Sequence, residues 1–145
     1  LSAQGRRVLL VDACTSMPLL DAVFGIDSTP GLGDVLRAGP IESSLRRTEA
    51  GLTVMPLGLS LPDATTAFNS PRFEWLMRSA SALFDCVIFA ADSVYPGDAG
   101  AVLASGTQAT VVNSNAGSTL PRNMSEARNA LQLLGANVVG VAVCQ

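Results

Sequence analysis

Four short apolar runs punctuate the chain, at residues 7–12, 86–91, 109–112 and 138–143. Each is continuous rather than alternating, and each is rich in β-branched residues. That pattern marks strands covered on both faces, as in a parallel sheet. A weaker run, residues 52–57, contains Pro56. Proline cannot donate to a ladder, so this run is expected as a strand end or an edge.

Helical spacing fills the intervals. Residues 71–83 carry Phe73, Leu76, Met77 and Leu83 near one face, with Ser70 placed to cap and Pro71 at the first helical position. Residues 125–134 run into Gly135, a stop signal. Residues 98–104 form a shorter candidate. Residues 31–38 and 41–47 read as small helices on either side of Gly39-Pro40. Strands alternating with helices predict βαβ units and a doubly wound, mostly parallel α/β sheet. No repeat, low-complexity tract or linker interrupts the 145 residues, so 1–145 is expected as a single domain.

Composition narrows the chemistry. Hydrophobic residues make up 48% and charged residues 14%, as in a compact globular domain. A net charge of −3 argues against a nucleic-acid partner. There is no histidine, which excludes a Ser-His-Asp triad and histidine-held zinc within this chain. All nine basic residues are arginine. Cys14, Cys86 and Cys144 are widely spaced and form no CxxC pair, pointing to a reducing, cytoplasmic setting. No apolar run reaches the length of a membrane span. The chain starts at Leu1, and a missing N-terminal part is expected.

The order of motifs resembles a family. Gly5-Arg6-Arg7-Val8-Leu9-Leu10-Val11-Asp12-Ala13 resembles the second strand of deviant-Walker P-loop ATPases. Met17-Pro18-Leu19-Leu20 through Phe24-Gly25 follows, then Thr29-Pro30-Gly31-Leu32-Gly33-Asp34. Leu57-Gly58 to Leu61-Pro62-Asp63, Ser70-Pro71-Arg72-Phe73, Phe84-Asp85-Cys86-Val87-Ile88 and Gly140-Val141-Ala142-Val143 complete the series. Together they resemble the bacterial tyrosine kinases of capsule and exopolysaccharide synthesis. The Gly31–Asp34 passage and the Ser70-Pro71 entry favour that branch over partition and division-site ATPases. The resemblance implies binding of ATP and Mg²⁺ and phosphorylation of tyrosines on the kinase's own tail. It also implies docking on a membrane chain-length regulator at the inner face of the cell membrane, and possible homo-oligomers.

The catalytic residues of that family are not matched. Phosphoryl transfer depends on neutralising charge. The P-loop pattern Gly-x-x-x-x-Gly-Lys-Ser/Thr has no counterpart, and without lysine none is possible in this stretch. Either the P-loop precedes Leu1 or the parent has lost it. The family's acidic pair on the first strand reads Asp12-Ala13-Cys14 here, and a thiol does not replace a carboxylate at Mg²⁺. The Walker B strand ends in Ala90 where the family has aspartate. Cys144 stands where the family closes its last strand with asparagine, and Tyr95 is the single tyrosine.

Several residues are weighed against simpler roles. Asp12 is either a metal-site remnant or a cap. Asp92, two residues past Ala90, is a weak stand-in for the lost aspartate, with turn chemistry favoured. Asp98 is a weak remnant or a helix cap. Gly31-Leu32-Gly33 follows no strand and lacks the third glycine of a dinucleotide loop. Arg46, Arg47, Arg72 and Arg122 are read as solvated, and Trp75 as core. The expectation is a catalytically deficient kinase-like module, with no catalytic residue and no resident metal. The alternatives are a truncated active tyrosine kinase with its P-loop upstream, or a relative of partition and division-site ATPases.

Overall fold

The computed structural model describes residues 1–92, 94, 99–115 and 121–144. It divides into two compact units, Leu1–Asp92 and Ser93–Gln145, which are taken in turn.

The first unit contains β1 (Val8–Ala13), α1 (Leu20–Phe24), α2 (Leu32–Leu36), β2 (Arg46–Arg47), β3 (Thr53–Met55), α3 (Ala64–Phe68), α4 (Pro71–Leu83) and β4 (Cys86–Ala91). Its sheet runs β2-β3-β1-β4. β1 pairs parallel with both β3 and β4, and β2 is antiparallel to β3. β1 is the strand with the most thorough cover: Leu9, Val11 and Ala13 are buried, and so are Val8 and Asp12 on the other face. This is the two-sided burial that a continuous apolar run predicts.

α4 has the expected bounds, and Ser70 caps it by accepting the Phe73 N–H at 3.2 Å. Its buried stripe is Phe73, Leu76 and Ala80. Leu83, expected on that stripe, is exposed, because it is the last residue before the chain turns into β4. Phe73 stacks against Phe68 of α3 and Phe89 of β4, with ring centres 5.4 and 5.9 Å apart. Arg7 and Asp85 precede the two long strands and form an ion pair at 2.7 Å, while the Arg7 N–H also donates to Asp85 at 2.9 Å. The pair fixes the register in which β1 meets β4.

One expectation is met in one of its two forms and one is corrected. Of the strand end or edge expected for residues 52–57, the strand end is what forms: β3 stops at Met55 and lies between β2 and β1. Pro56 lies just past Met55, so its missing N–H costs no ladder bond, and its carbonyl accepts the Leu32 N–H at 2.8 Å. Residues 41–47 hold one 3₁₀ turn, Glu42–Ser44, and then turn into β2. The strand, not the helix, wins because Arg46 and Arg47 pair with Val54 and Thr53.

The second unit contains α5 (Ala99–Ser105), β5 (Thr110–Asn115), α6 (Pro121–Leu133) and β6 (Val138–Cys144). β5 and β6 pair in parallel, with an irregularity between Thr110 and Val111. α5 buries Ala101, Leu103 and Ala104, and α6 buries Ala127, Ala130 and Leu131. α6 begins earlier than its spacing predicts. It stops as expected at Gly135, which takes φ +74°, with the Ala136 N–H returning to the Leu131 carbonyl at 2.9 Å. Each unit by itself shows parallel strand pairing with helices between the strands, the mostly parallel α/β pattern that the sequence predicts.

Candidate functional site

Ligands of open parallel sheets bind beyond the carboxyl ends of the strands. In the first unit those ends are Asp12-Ala13 on β1 and Ala90-Ala91 on β4, and the register sets Asp12 directly beside Ala90. Adjacent strands lie about 4.8 Å apart. The two positions that decide the Walker-type reading are therefore next-door neighbours in the ladder.

Asp12 is 1% exposed. One carboxylate oxygen accepts the Cys14 N–H at 3.1 Å. The other accepts the N–H groups of Leu19 at 3.0 Å and Leu20 at 2.9 Å. Those two donors open α1, whose own N-cap residue, Leu19, offers no side-chain acceptor. Asp12 thus caps α1 from a distance and closes the loop between strand and helix.

Asp92 follows β4 and performs a similar task on the opposite side of that loop. It accepts the Thr15 N–H at 2.6 Å and the Thr15 hydroxyl at 2.8 Å. It also accepts the Ser16 hydroxyl, and the Ser16 N–H at 3.3 Å. Partial burial works against the charge on Asp92, but the bonds from Ser16 and Thr15 outweigh it and hold the carboxyl below its ordinary range.

Cys14 lies between these two carboxylates. Burial, then the charges of Asp12 and Asp92, push its thiol up to about 11. The side chain is a neutral thiol at physiological pH, unsuited to a hard cation. Ala90 is half-buried and brings no donor atom. Cys144 ends β6 opposite Asn115. Asp98 and Tyr95 lie outside the described residues.

Mg²⁺ holds several oxygen ligands in near-octahedral geometry. Here both Asp12 oxygens face backbone donors, Asp92 is bound by Thr15 and Ser16, Cys14 is protonated and Ala90 is a methyl group. Among the described residues no group of three or more acidic or thiol side chains is placed to hold a metal. The donors among the described residues do not fit a Mg²⁺ site.

The sequence reading missed Thr15 and Ser16. Two adjacent hydroxyls just past a buried strand are the available signal, since such residues bind carboxylates and backbone in turns. It also misjudged Arg46 and Arg72, whereas Arg47 is exposed as expected and the Arg122 side chain lies outside what the structure describes. The Arg72 Nε and Nη2 donate to the carbonyls of Val35 at 2.8 Å and Gly39 at 2.6 Å. Its guanidinium lies 3.8 Å from the centre of the Trp75 ring. Arg46 donates to Ser43 at 2.6 Å and Thr29 at 2.9 Å. Both are brackets for loop carbonyls, a task suited to a fork of fixed donors. Trp75 is half-buried beneath Arg72 rather than in the core. Gly31 and Gly33 are packing glycines: a Cβ on Gly31 would overlap the Pro56 carbonyl oxygen, and one on Gly33 that of Leu59. Asp34 completes this contact by accepting the N–H groups of Gly31 at 2.8 Å and Leu59 at 3.1 Å.

No family model matches the chain. Among curated proteins it is similar to the tyrosine-protein kinase ptk of Acinetobacter johnsonii, 28% identical over 142 residues, covering 97% of this chain and 19% of that protein. It is also similar to the tyrosine-protein kinase YwqD of Bacillus subtilis, 26% identical over 139 residues, covering 94% of this chain and 59% of that protein. The chain thus spans about a fifth of the one and three fifths of the other. Among solved structures it matches the kinase domain of the Escherichia coli tyrosine kinase ETK with a TM-score of 0.91 at 18% identity, covering 98% of this chain and 56% of that one. It matches the VpsO kinase domain with a TM-score of 0.89 at 21% identity, covering 99% and 72%. The sequence relatives are named as bacterial tyrosine-protein kinases, and the fold is that of the ETK and VpsO kinase domains.

Proposed function

We propose that this homologue of bacterial tyrosine kinases is a catalytically deficient, kinase-like regulatory module of exopolysaccharide or capsule synthesis and export. The observation that carries the reading is the Asp12–Ala90 pair. The strand-end position that the family resemblance assigns to a second carboxylate is a methyl group. The carboxylate beside it is turned inward, onto three backbone N–H groups. A side chain that closes a loop in this way serves the fold. Cys14, with its raised pKa, adds nothing to a cation site.

Such a module acts by binding. The resemblance points to a membrane chain-length regulator or a cognate active kinase as partner, with self-association as a further route, at the inner face of the membrane. Mg²⁺ and ATP enter by resemblance alone, and no step is derived through them.

The test is phosphoryl transfer by the full-length parent protein, followed with labelled ATP and Mg²⁺. The expected result is no label on the protein's own tyrosines beyond the level of a no-enzyme control. Sustained self-labelling would overturn the reading and restore the truncated-kinase alternative.

A further inference from the structure

Between Arg7 and Arg37 the chain holds no basic residue. Its four acidic residues there divide into two kinds. Asp12 and Asp34 serve the fold, the first by closing the loop after β1 and the second by tying Gly31 to Leu59. Asp21 and Asp27 form no ion pair among the described residues; Asp27 is exposed and Asp21 half-buried. Arg46 reaches this segment at Thr29, where its guanidinium is committed to the carbonyl at 2.9 Å.

The start of α1 is apolar on two faces. Leu20 and Phe24 are half-buried, whereas Leu19 and Val23 are 52% and 69% exposed. The Val23 N–H donates to the Leu19 carbonyl at 2.9 Å, which sets these two side chains one turn apart on one face, with exposed Ala22 beside them. Met17, two residues before Leu19, is 65% exposed. A surface helix ordinarily presents polar side chains to water, and this one presents leucine, alanine and valine. The face is also held in place. Asp12 accepts the N–H groups of Leu19 and Leu20, and Asp92 accepts those of Thr15 and Ser16 in the preceding loop. A surface fixed in advance loses little freedom on binding.

We propose that Met17, Leu19 and Val23 form a docking face for a basic amphipathic segment of another protein. The apolar side chains of that segment cover these three residues, and its Lys or Arg side chains meet Asp21 and Asp27. Charge selects this occupant. A second copy meeting the face across a two-fold would set the carboxylates against their own kind, which costs binding energy. An anionic lipid surface attracts basic segments, and this one has no basic residue. The inference concerns the surface alone and holds whether or not the protein transfers phosphate.

The probe is a dye-labelled synthetic helical peptide with leucine along one face and lysine on its flanks, titrated with the natural full-length protein and followed by fluorescence anisotropy. Saturable binding is expected, with a dissociation constant below about 100 μM. Leu19→Gln with Val23→Gln should weaken it about tenfold or more, and Met17→Gln, in the loop, repeats the test without touching the helix. Asp21→Asn with Asp27→Asn should weaken it about threefold or more at low salt. The charge-matched control, Glu49→Gln with Glu74→Gln, changes exposed carboxylates on other elements and should stay within about twofold of the parent. No binding by the full-length protein would overturn the proposal. So would binding indifferent to Leu19, Val23 and Met17, or a control that loses as much as the Asp21 and Asp27 pair. Sedimentation and phosphatidylglycerol vesicles cover the other occupants. Self-association or vesicle binding that Leu19→Gln with Val23→Gln abolishes would assign the face to a second copy or to lipid, and overturn the proposal equally.

Discussion

Asp12→Asn separates a structural carboxylate from a metal ligand. In the native protein one carboxylate accepts three backbone N–H groups, at 3.1, 3.0 and 2.9 Å. Asparagine keeps one acceptor oxygen. Its best orientation places that oxygen on the Leu19 and Leu20 pair and turns the NH₂ toward the Cys14 N–H, donor against donor. Hydrogen bonds to charged groups contribute about 1.5–3 kcal/mol each, and neutral ones about 0.5–1.5. One bond is lost and two become neutral, so the expected cost is at least about 3 kcal/mol. That is a large part of a typical stability of about 5–15 kcal/mol. The assay is urea unfolding without metal, followed by fluorescence of Trp75, the single tryptophan. With a slope of about 2 kcal/mol per molar urea, the midpoint should fall by at least about 1.5 M with the slope unchanged. A carboxylate held in readiness for a cation behaves differently: without the cation, removing its charge leaves stability unchanged or raises it. A midpoint within about 0.3 M of the parent would refute the capping role.

Other outcomes follow from the same geometry. Arg72→Ala removes two bonds to loop carbonyls and the cover over Trp75; a loss of about 2 kcal/mol and a red-shifted Trp75 emission are expected, and Arg72→Lys should recover less than half of the loss. Asp92 has a depressed pKa, so its contribution is present above its unfolded value, near 3.8, and is lost as pH falls through the lower folded value. Acid titration of the native protein should therefore show destabilisation below about pH 4 that is reduced in Asp92→Asn; identical acid profiles would remove Asp92 from the latch. With a thiol pushed up to about 11, Cys14 should react with a disulfide reagent at pH 8 about a hundredfold more slowly than a free cysteine, and labelling at the free rate would contradict its placement.

What could be read from the sequence depended on which forces act locally. β1, β4 and β6 were legible as strands because each is a continuous apolar run, but the expected cover on both faces holds for β1 alone: β4 exposes Ile88, and β6 exposes Val138, Val139, Val141 and Val143. The bounds of α4 were legible because Ser70-Pro71 is a local starting signal. The interior position of β3 was not, since pairing depends on partners distant in sequence, although Pro56 did mark where the strand ends. α1 and α3, five residues each, carry too little periodicity to stand out. At the site, Asp12 and Ala90 could be singled out from motif order, but the targets of the Asp12 carboxylate could not. They are N–H groups two, seven and eight residues away, and a loop conformation decides them. Arg72 was misread for the same reason: its acceptors, Val35 and Gly39, lie more than thirty residues back in the chain.

Strand ends that assemble no cation-dependent nucleotide site, as proposed, should leave nucleotide binding independent of Mg²⁺. Calorimetric titration of the full-length protein with ATP, with and without Mg²⁺, addresses it directly. Mg²⁺ is expected to leave any ATP affinity unchanged within about twofold. A tightening of tenfold or more on adding Mg²⁺, about 1.4 kcal/mol, would contradict it.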